Sequence, residues 1–300
     1  MSKCGHIALI GRPNAGKSTL LNHLMGQKIA IVSDKPQTTR RRILGVLNRG
    51  EAQMIFVDTP GIHKPGYRLN QIMMDTVYEA IKDVDLLLHM VDASEPYGRG
   101  EQFVVDLVKQ AGKPTLLLLN KADAVNKGRL LPEIEAYNER FAYQEIIPIS
   151  ASQGDNVEVL LERIAEHLPE SDWLFPEDYF TDQQERFLAS EIIREKVLAH
   201  TRREIPYSTA VVIEEFDESR RQEEESFLRI TASILVDKPN HKKIVIGRGG
   251  RMIKRIGTEA RKELKRMLEV KSLYLDLNVK VEAGWRDREG LLDQMGVIGR

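Results

Sequence analysis

Three hundred residues, 42% hydrophobic and 30% charged, are more than one ordinary domain needs and enough for two, each with its own buried core. A single cysteine, Cys4, excludes an internal disulfide framework; the seven scattered histidines give no zinc-ligand spacing, and neither a signal peptide nor a membrane-length apolar run is present, so a soluble cytoplasmic protein is expected. The net charge of −1 covers a mild division, 24 Lys/Arg against 21 Asp/Glu from Asp182 onward and 20 against 24 before it, which is too small to name a partner.

The first apolar run, Ile7 to Ile10, reads as a core strand and leads directly into GRPNAGKS, Gly11 to Ser18, which opens a helical pattern. This is the G-x-x-x-x-G-K-[ST] loop in the context it requires, strand before and helix after. Gly11 and Gly16 let the backbone curl so that N–H groups point inward at phosphates, with Ala15 and Thr19 completing the loop, and the helix N-terminus adds positive potential. Lys17 is expected to bridge the β- and γ-phosphates, and the Ser18 hydroxyl to hold Mg²⁺. A polar stretch, SDKPQTTRRR from Ser33 to Arg42, then reads as a switch loop in which Thr38 or Thr39 caps the Mg²⁺. Its three arginines either face solvent or touch phosphate or RNA.

The next strand, Ile55 to Val57, ends in Asp58-Thr59-Pro60-Gly61 at the ligand edge of the expected sheet. Asp58 suits a water-mediated Mg²⁺ contact, and the Gly61 N–H suits the γ-phosphate. Strands Leu86 to Val91 and Thr115 to Leu119 follow, the second ending in Asn120-Lys121-Ala122-Asp123. A carboxylate at Asp123 offers two acceptors to the N1–H and the exocyclic amine of guanine, and adenine has neither donor in that place. Lys121 would lay its stem on the base, Asn120 would tie this loop to the phosphate loop, and Ser150-Ala151-Ser152, after the strand Ile146 to Ile149, would add a backbone N–H to guanine O6.

Strands alternating with amphipathic helices, such as Asn156 to His167, imply an α/β domain over 1–168 with a mainly parallel sheet and helices on both faces. LPESDWLFPEDYFTD follows, and residues 169–182 read as a linker. Its Trp173, Phe175, Tyr179 and Phe180 carry enough apolar area to be packed between domains rather than tethered loosely.

From 183 to 300 the order becomes helix (Gln184 to His200), strand (Ser208 to Glu215), strand (Phe227 to Val236), helix, glycine turn, helix (Arg251 to Leu268) and strand (Leu273 to Val281), an α+β unit. Lys242 to Arg266 holds ten Lys/Arg against two acids, and Gly247-Arg248-Gly249-Gly250 sits between Ile246 and a helix whose Ile253, Ile256, Ala260, Leu264 and Met267 share a face. A G-x-x-G turn of this kind brings helix ends close to a nucleic-acid backbone, which makes Lys242, Lys243, Ile246, Gly247, Arg248, Gly249, Gly250, Arg251, Ile253 and Lys254 the candidate RNA contacts.

Taken together, GRPNAGKSTLLN, KPQTTR, DTPGIHKP, NKAD and VIGRGGRMIKRIG resemble the bacterial Era-type GTPases over essentially the whole chain. The resemblance implies a P-loop GTPase domain followed by a KH domain of the second type. It also implies binding to ribosomal RNA near the 3′ end of the small subunit during assembly, and it favours Thr39 over Thr38 at the metal. Asn14 matches an asparagine that helps hold potassium in related GTPases, so Lys17, Thr39, Gly61 and Asn14 are the expected catalytic set. Ile62 stands where Ras-like enzymes place a water-orienting glutamine, so slow intrinsic turnover is expected. The expected molecule is a cytoplasmic monomer, with peripheral contact at the inner face of the cell membrane as a further expectation. The alternative is an RNA-binding chaperone in which bound GTP is mainly structural and hydrolysis negligible.

Overall fold

The computed structural model describes residues 2–62 and 66–298; 63–65, part of the DTPGIHKP match, lie outside the described residues. The chain divides into two compact units, one of Met1–Pro65 and Met73–Asp182, the other of Gly66–Ile72 and Gln183–Arg300.

In the first unit a six-stranded sheet has the order β2-β3-β1-β4-β5-β6. The strands are β1 (Lys3–Ile10), β2 (Ile43–Arg49), β3 (Ala52–Asp58), β4 (Leu86–Asp92), β5 (Thr115–Asn120) and β6 (Glu145–Pro148). All neighbours are parallel except β2 and β3. Alternation along β1 sends Ile7 and Leu9 to one face, into a core with Leu20, Leu21 and Leu160 from α1 (Lys17–Met25) and α5 (Val157–His167). Ala8 and Ile10 go to the other, against Val77, Ile81, Val104 and Val108 from α2 (Arg68–Lys82) and α3 (Arg99–Ala111), while α4 (Lys127–Arg140) sets Tyr137 in a cluster with Val105, Leu117 and Leu119. Parallel strands buried on both faces read as continuous apolar runs, which is why β4 and β5 are plain in the sequence. Because the register sets Leu9 beside Asp58 and Asp92 beside Asn120, the loops after β1, β3, β4 and β5 open at one edge of the sheet.

The antiparallel strand β2 is absent from the sequence expectation. Its edge is covered by the stretch 169–182, which is a strap and not a tether. The Val46 N–H donates to the Phe180 carbonyl (2.9 Å), the Thr181 hydroxyl to the Leu44 carbonyl (2.7 Å), and the Leu44 N–H to Asp182 Oδ1 (3.2 Å). Gln53 is the hub: its Oε1 accepts from the Leu174 and Phe175 N–H groups (2.9 and 3.0 Å) while its Nε2 donates to the Phe175 carbonyl (2.9 Å). Trp173, Phe175 and Tyr179 pack on Cys4, Val46 and Ile55, so the expected burial of linker aromatics occurs against the first unit's own sheet, whereas Phe180 stays 45% exposed.

The second unit holds the sheet β7-β8-β9 (Thr209–Asp217, Phe227–Val236, Ser272–Val281), with β7 antiparallel and β9 parallel to β8. Its core joins α6 (Glu185–His200) and α8 (Arg251–Met267) to the sheet through Ile192, Val197, Ile230, Ile234, Ile256, Ala260 and Leu264. Between β8 and α8 runs α7 (Pro239–Ile246), and a short helix beyond the expected elements, α9 (Glu289–Gln294), lies near the end. None of the helices among the described residues is long and apolar enough to cross a membrane.

Candidate nucleotide and nucleic-acid sites

A cleft of about 310 Å³ opens at the ligand edge of the larger sheet, lined by Asn14, Gly16, Lys17, Ser18 and Thr19 of the phosphate loop and by Thr39, Gly61, Asn120, Lys121, Asp123 and Ala151. Residues more than a hundred positions apart therefore meet as the motif order implies. Gly16 is required for steric reasons: its φ is +102°, and a Cβ there would lie 2.1 Å from Asn120 Nδ2. That nitrogen donates to the Ala15 carbonyl (2.7 Å) while Asn120 Oδ1 accepts from the Ala151 N–H (2.9 Å), so Asn120 fastens three loops together. Gly11 lies behind the cleft, where its carbonyl accepts from Lys17 Nζ (3.2 Å), as does that of Arg12 (3.1 Å). Burial pulls the Lys17 ammonium below its ordinary value, and the charges of Asp58 and Glu101 oppose that pull.

Three oxygens converge beside Lys17. The Ser18 hydroxyl donates to Asp58 Oδ2 at 2.6 Å and lies 2.8 Å from the Thr39 hydroxyl, which reaches the same carboxylate oxygen at 3.4 Å. Thr38 instead donates to the Lys35 carbonyl (2.6 Å), so the structure brings Thr39, not Thr38, to this cluster. Asp58 is fully buried and its Oδ1 has no hydrogen-bond partner. Burial raises its carboxyl to about 6 even though Lys17, Ser18 and Thr39 pull it down. A buried carboxylate with an unused oxygen, flanked by two hydroxyls, fits a hard divalent cation such as Mg²⁺.

Several expectations are refined. Ser150 is wholly buried and supports its loop by accepting from the Gln153 N–H (3.3 Å), while Ala151 and Ser152 face the cleft. Asn14 donates its amide to the Asp34 carbonyl of the switch segment (2.8 Å). Asp34 and Gln37 of the polar segment also line the cleft, as do Ile31 and Val32 just before it, contacts that no fixed motif reveals. The solvated reading of the arginine run fails for Arg40, which is 6% exposed, and holds for Arg42. Ile62 is 4% exposed, within the apolar cluster of Ala8, Ile10 and Val77, so its side chain is committed to the core.

In the second unit, α7 ends at Gly247, whose N–H donates to the Lys243 carbonyl (2.9 Å), and α8 begins at Arg251. Gly247 has φ +73°, and a Cβ there would meet Met252 at 2.7 Å. Nothing lies within 4 Å of a Cβ at Gly249 or Gly250, so this side of the turn is open. Lys243, Arg248, Arg251 and Lys254 are exposed around it, Lys242, Ile246 and Ile253 are partly covered, and Ile256, Ala260 and Leu264 are buried as the helical pattern implies.

Residues 6–121 match the family model described as a 50S ribosome-binding GTPase, and residues 204–286 match the KH domain model. GTPase Era of Halothermothrix orenii is 46% identical over 297 residues, 99% of each chain. The chain belongs to the Era family of GTPases. Two solved Era structures agree at 40% identity. One, in complex with MgGDPNP and nucleotides 1506–1542 of 16S ribosomal RNA, has a TM-score of 0.94 over 99% of both chains. The other, an Aquifex aeolicus Era variant bound to GDP and aluminium fluoride, scores 0.92 over 98% of this chain and 99% of that one. The fold is thus that of a P-loop GTPase domain followed by a KH domain.

Proposed function

We propose that this Era-family GTPase binds small-subunit ribosomal RNA near its 3′ end through the turn at Gly247–Gly250 and serves in assembly of the small ribosomal subunit. The observation that carries the reading is the open, cation-ringed glycine turn in a chain that matches, over nearly its whole length, an Era captured with such an RNA segment. Lys17, which now spends its hydrogen bonds on loop carbonyls, is the cation for the β- and γ-phosphates. Ser18, Thr39 and Asp58 would hold Mg²⁺, which when bound neutralises charge on those phosphates. Asp123 reads guanine, and Gly61 offers its N–H to the γ-phosphate. With Ile62 in the core, no side chain directly after Gly61 orients the attacking water, so unassisted turnover is slow, on the order of 10⁻⁴ to 10⁻² per second.

Potassium is proposed to take part beside Asn14. Its support is the juxtaposition of that amide with the Asp34 carbonyl at the mouth of the cleft, and equal turnover in potassium and sodium would remove it. The monomeric and cytoplasmic state, with peripheral attachment to membrane, is likewise a proposal. Sedimentation alone and with anionic vesicles tests both parts: self-association would end the first, and no co-sedimentation the second.

The main test is an RNA titration, at fixed ionic strength, with a small-subunit 3′-end segment. Tighter binding with a non-hydrolysable GTP analogue than with GDP, by about 5- to 150-fold, is expected of a switch. No RNA binding would sink the reading. Equal affinities would leave two independent activities on one chain, and undetectable GTP turnover with RNA present would favour the chaperone alternative.

A further inference from the structure

Lys121 separates two clefts. On one side is the nucleotide cleft with Asp123, Ala151 and Ser152; on the other is a second cleft of about 340 Å³ with Asp92, Glu101 and Tyr137. Its backbone is left-handed, φ 62°, an uncommon conformation for a side-chain-bearing residue that fixes where the stem departs. The stem does not end in the nucleotide cleft. Its ammonium pairs closely with Asp92 Oδ2, on the far side of the wall.

Asp92 is itself held. It closes β4, opposite Asn120 in the parallel register, and the Ala93 N–H donates to the Asn120 carbonyl (2.9 Å). The other carboxylate oxygen, Oδ1, accepts from the Ser94 N–H (3.0 Å) and from the Ser94 hydroxyl. Burial raises the Asp92 carboxyl, yet the Lys121 and Ser94 hydrogen bonds outweigh that and leave it below its ordinary value. The Asp92 side chain is 14% exposed against 40% for Lys121, and its other oxygen is held by Ser94, so the anchor is the less solvated partner.

We infer that Asp92 is a positioning residue for guanine-nucleotide binding: it draws the Lys121 ammonium out of the nucleotide cleft, so that the methylene stem forms the wall on which the purine face rests. This rests on the guanine-binding reading of the site. A free lysine there would sample many rotamers and bring a strongly hydrated ammonium to an apolar ring face, and ordering the stem would then be charged to each binding event. The bland alternative is a partly exposed ion pair with no bearing on ligand affinity.

The test uses the full chain, with GDP and a non-hydrolysable GTP analogue as probes and hydrolysis measured alongside. Asp92→Asn keeps shape and removes charge. It is expected to weaken both nucleotides by the same factor, about tenfold, through faster dissociation. The loss should fall on KM, with kcat at saturation within about twofold and ATP still rejected. A Lys121→Met background keeps an apolar stem without an ammonium; there Asp92→Asn should cost nothing further. Thermal midpoints without nucleotide monitor folding in all four proteins. The proposal is overturned if Asp92→Asn leaves affinity unchanged, or if it costs as much in the Lys121→Met background as in the natural one. A natural protein that fails to bind GDP would instead overturn the guanine-binding reading itself.

Discussion

The glycine turns at Gly16 and at Gly247–Gly250 each open a helix, and they solve opposite problems. At Gly16 the surroundings close to 2.1 Å of a hypothetical Cβ, and the turn is fastened to neighbouring loops through Asn120. At Gly249 and Gly250 the same construction meets open space, and the tight contact is confined to Gly247 against Met252. A compact ligand whose phosphates need many N–H donors calls for a walled loop. A polymer that passes across the protein calls for a turn open on one side. Glycine serves the first by allowing loops to touch each other and the second by allowing a ligand backbone to touch the loop.

The largest expected effect breaks the walled turn. Gly16→Val forces the side chain into Asn120 and parts the phosphate loop from the base loop, so nucleotide affinity should fall by at least about a hundredfold and stability by about 2–4 kcal/mol. Calorimetric GDP titration and denaturant unfolding check both. Nucleotide binding left within tenfold of the natural protein would mean the loops are not mutually braced.

The counterpart is Gly249→Asp with Gly250→Asp. Both glycines are left-handed, φ +60° and +75°, so although space is open around them the pair should cost the fold about 1–3 kcal/mol of backbone strain, while RNA affinity drops at least about thirtyfold from repulsion of phosphates. GDP affinity should not move. RNA affinity left within about threefold of the natural protein would show that no phosphate backbone approaches this turn.

A smaller effect comes from Asp58, whose carboxyl is raised to about 6 by burial. For a raised carboxyl the sign is definite: without metal, its contribution to stability is complete below the unfolded value near 4 and is lost as pH rises through about 6. Mg²⁺ competes with that proton. Magnesium-supported GDP affinity should therefore weaken as pH falls through about 6, by up to tenfold per unit below it. Asp58→Asn should flatten the profile, and an unchanged slope in that variant would assign the proton elsewhere.

The nucleotide site was legible because its chemistry is carried by short contiguous runs at strand ends, where Lys17, Asp58 and Asn120 keep fixed offsets from apolar strands. What escaped depends on partners distant in sequence. Neither spacing nor residue type distinguishes Thr38 from Thr39; the difference is which hydroxyl the loop turns toward Asp58. Asp92 reads as the polar end of a strand until Lys121 is found against it. Strand β2 escaped because Gly45 interrupts its pattern and the strap covers its edge, blurring the two-residue alternation of a half-exposed strand. In α8, where one face packs and the other is solvated, periodicity alone identified the buried residues.

The strap has a bearing on where the first domain ends. A chain cut after Leu168 would keep every nucleotide motif, yet it would bare Cys4, Val46 and Ile55 and leave the Leu44 and Val46 N–H groups of an edge strand without their partners. An unpaired edge beside an apolar patch is a template for pairing with another copy. A fragment ending at 182 carries its own guard against such edge-to-edge aggregation, and one ending at 168 does not.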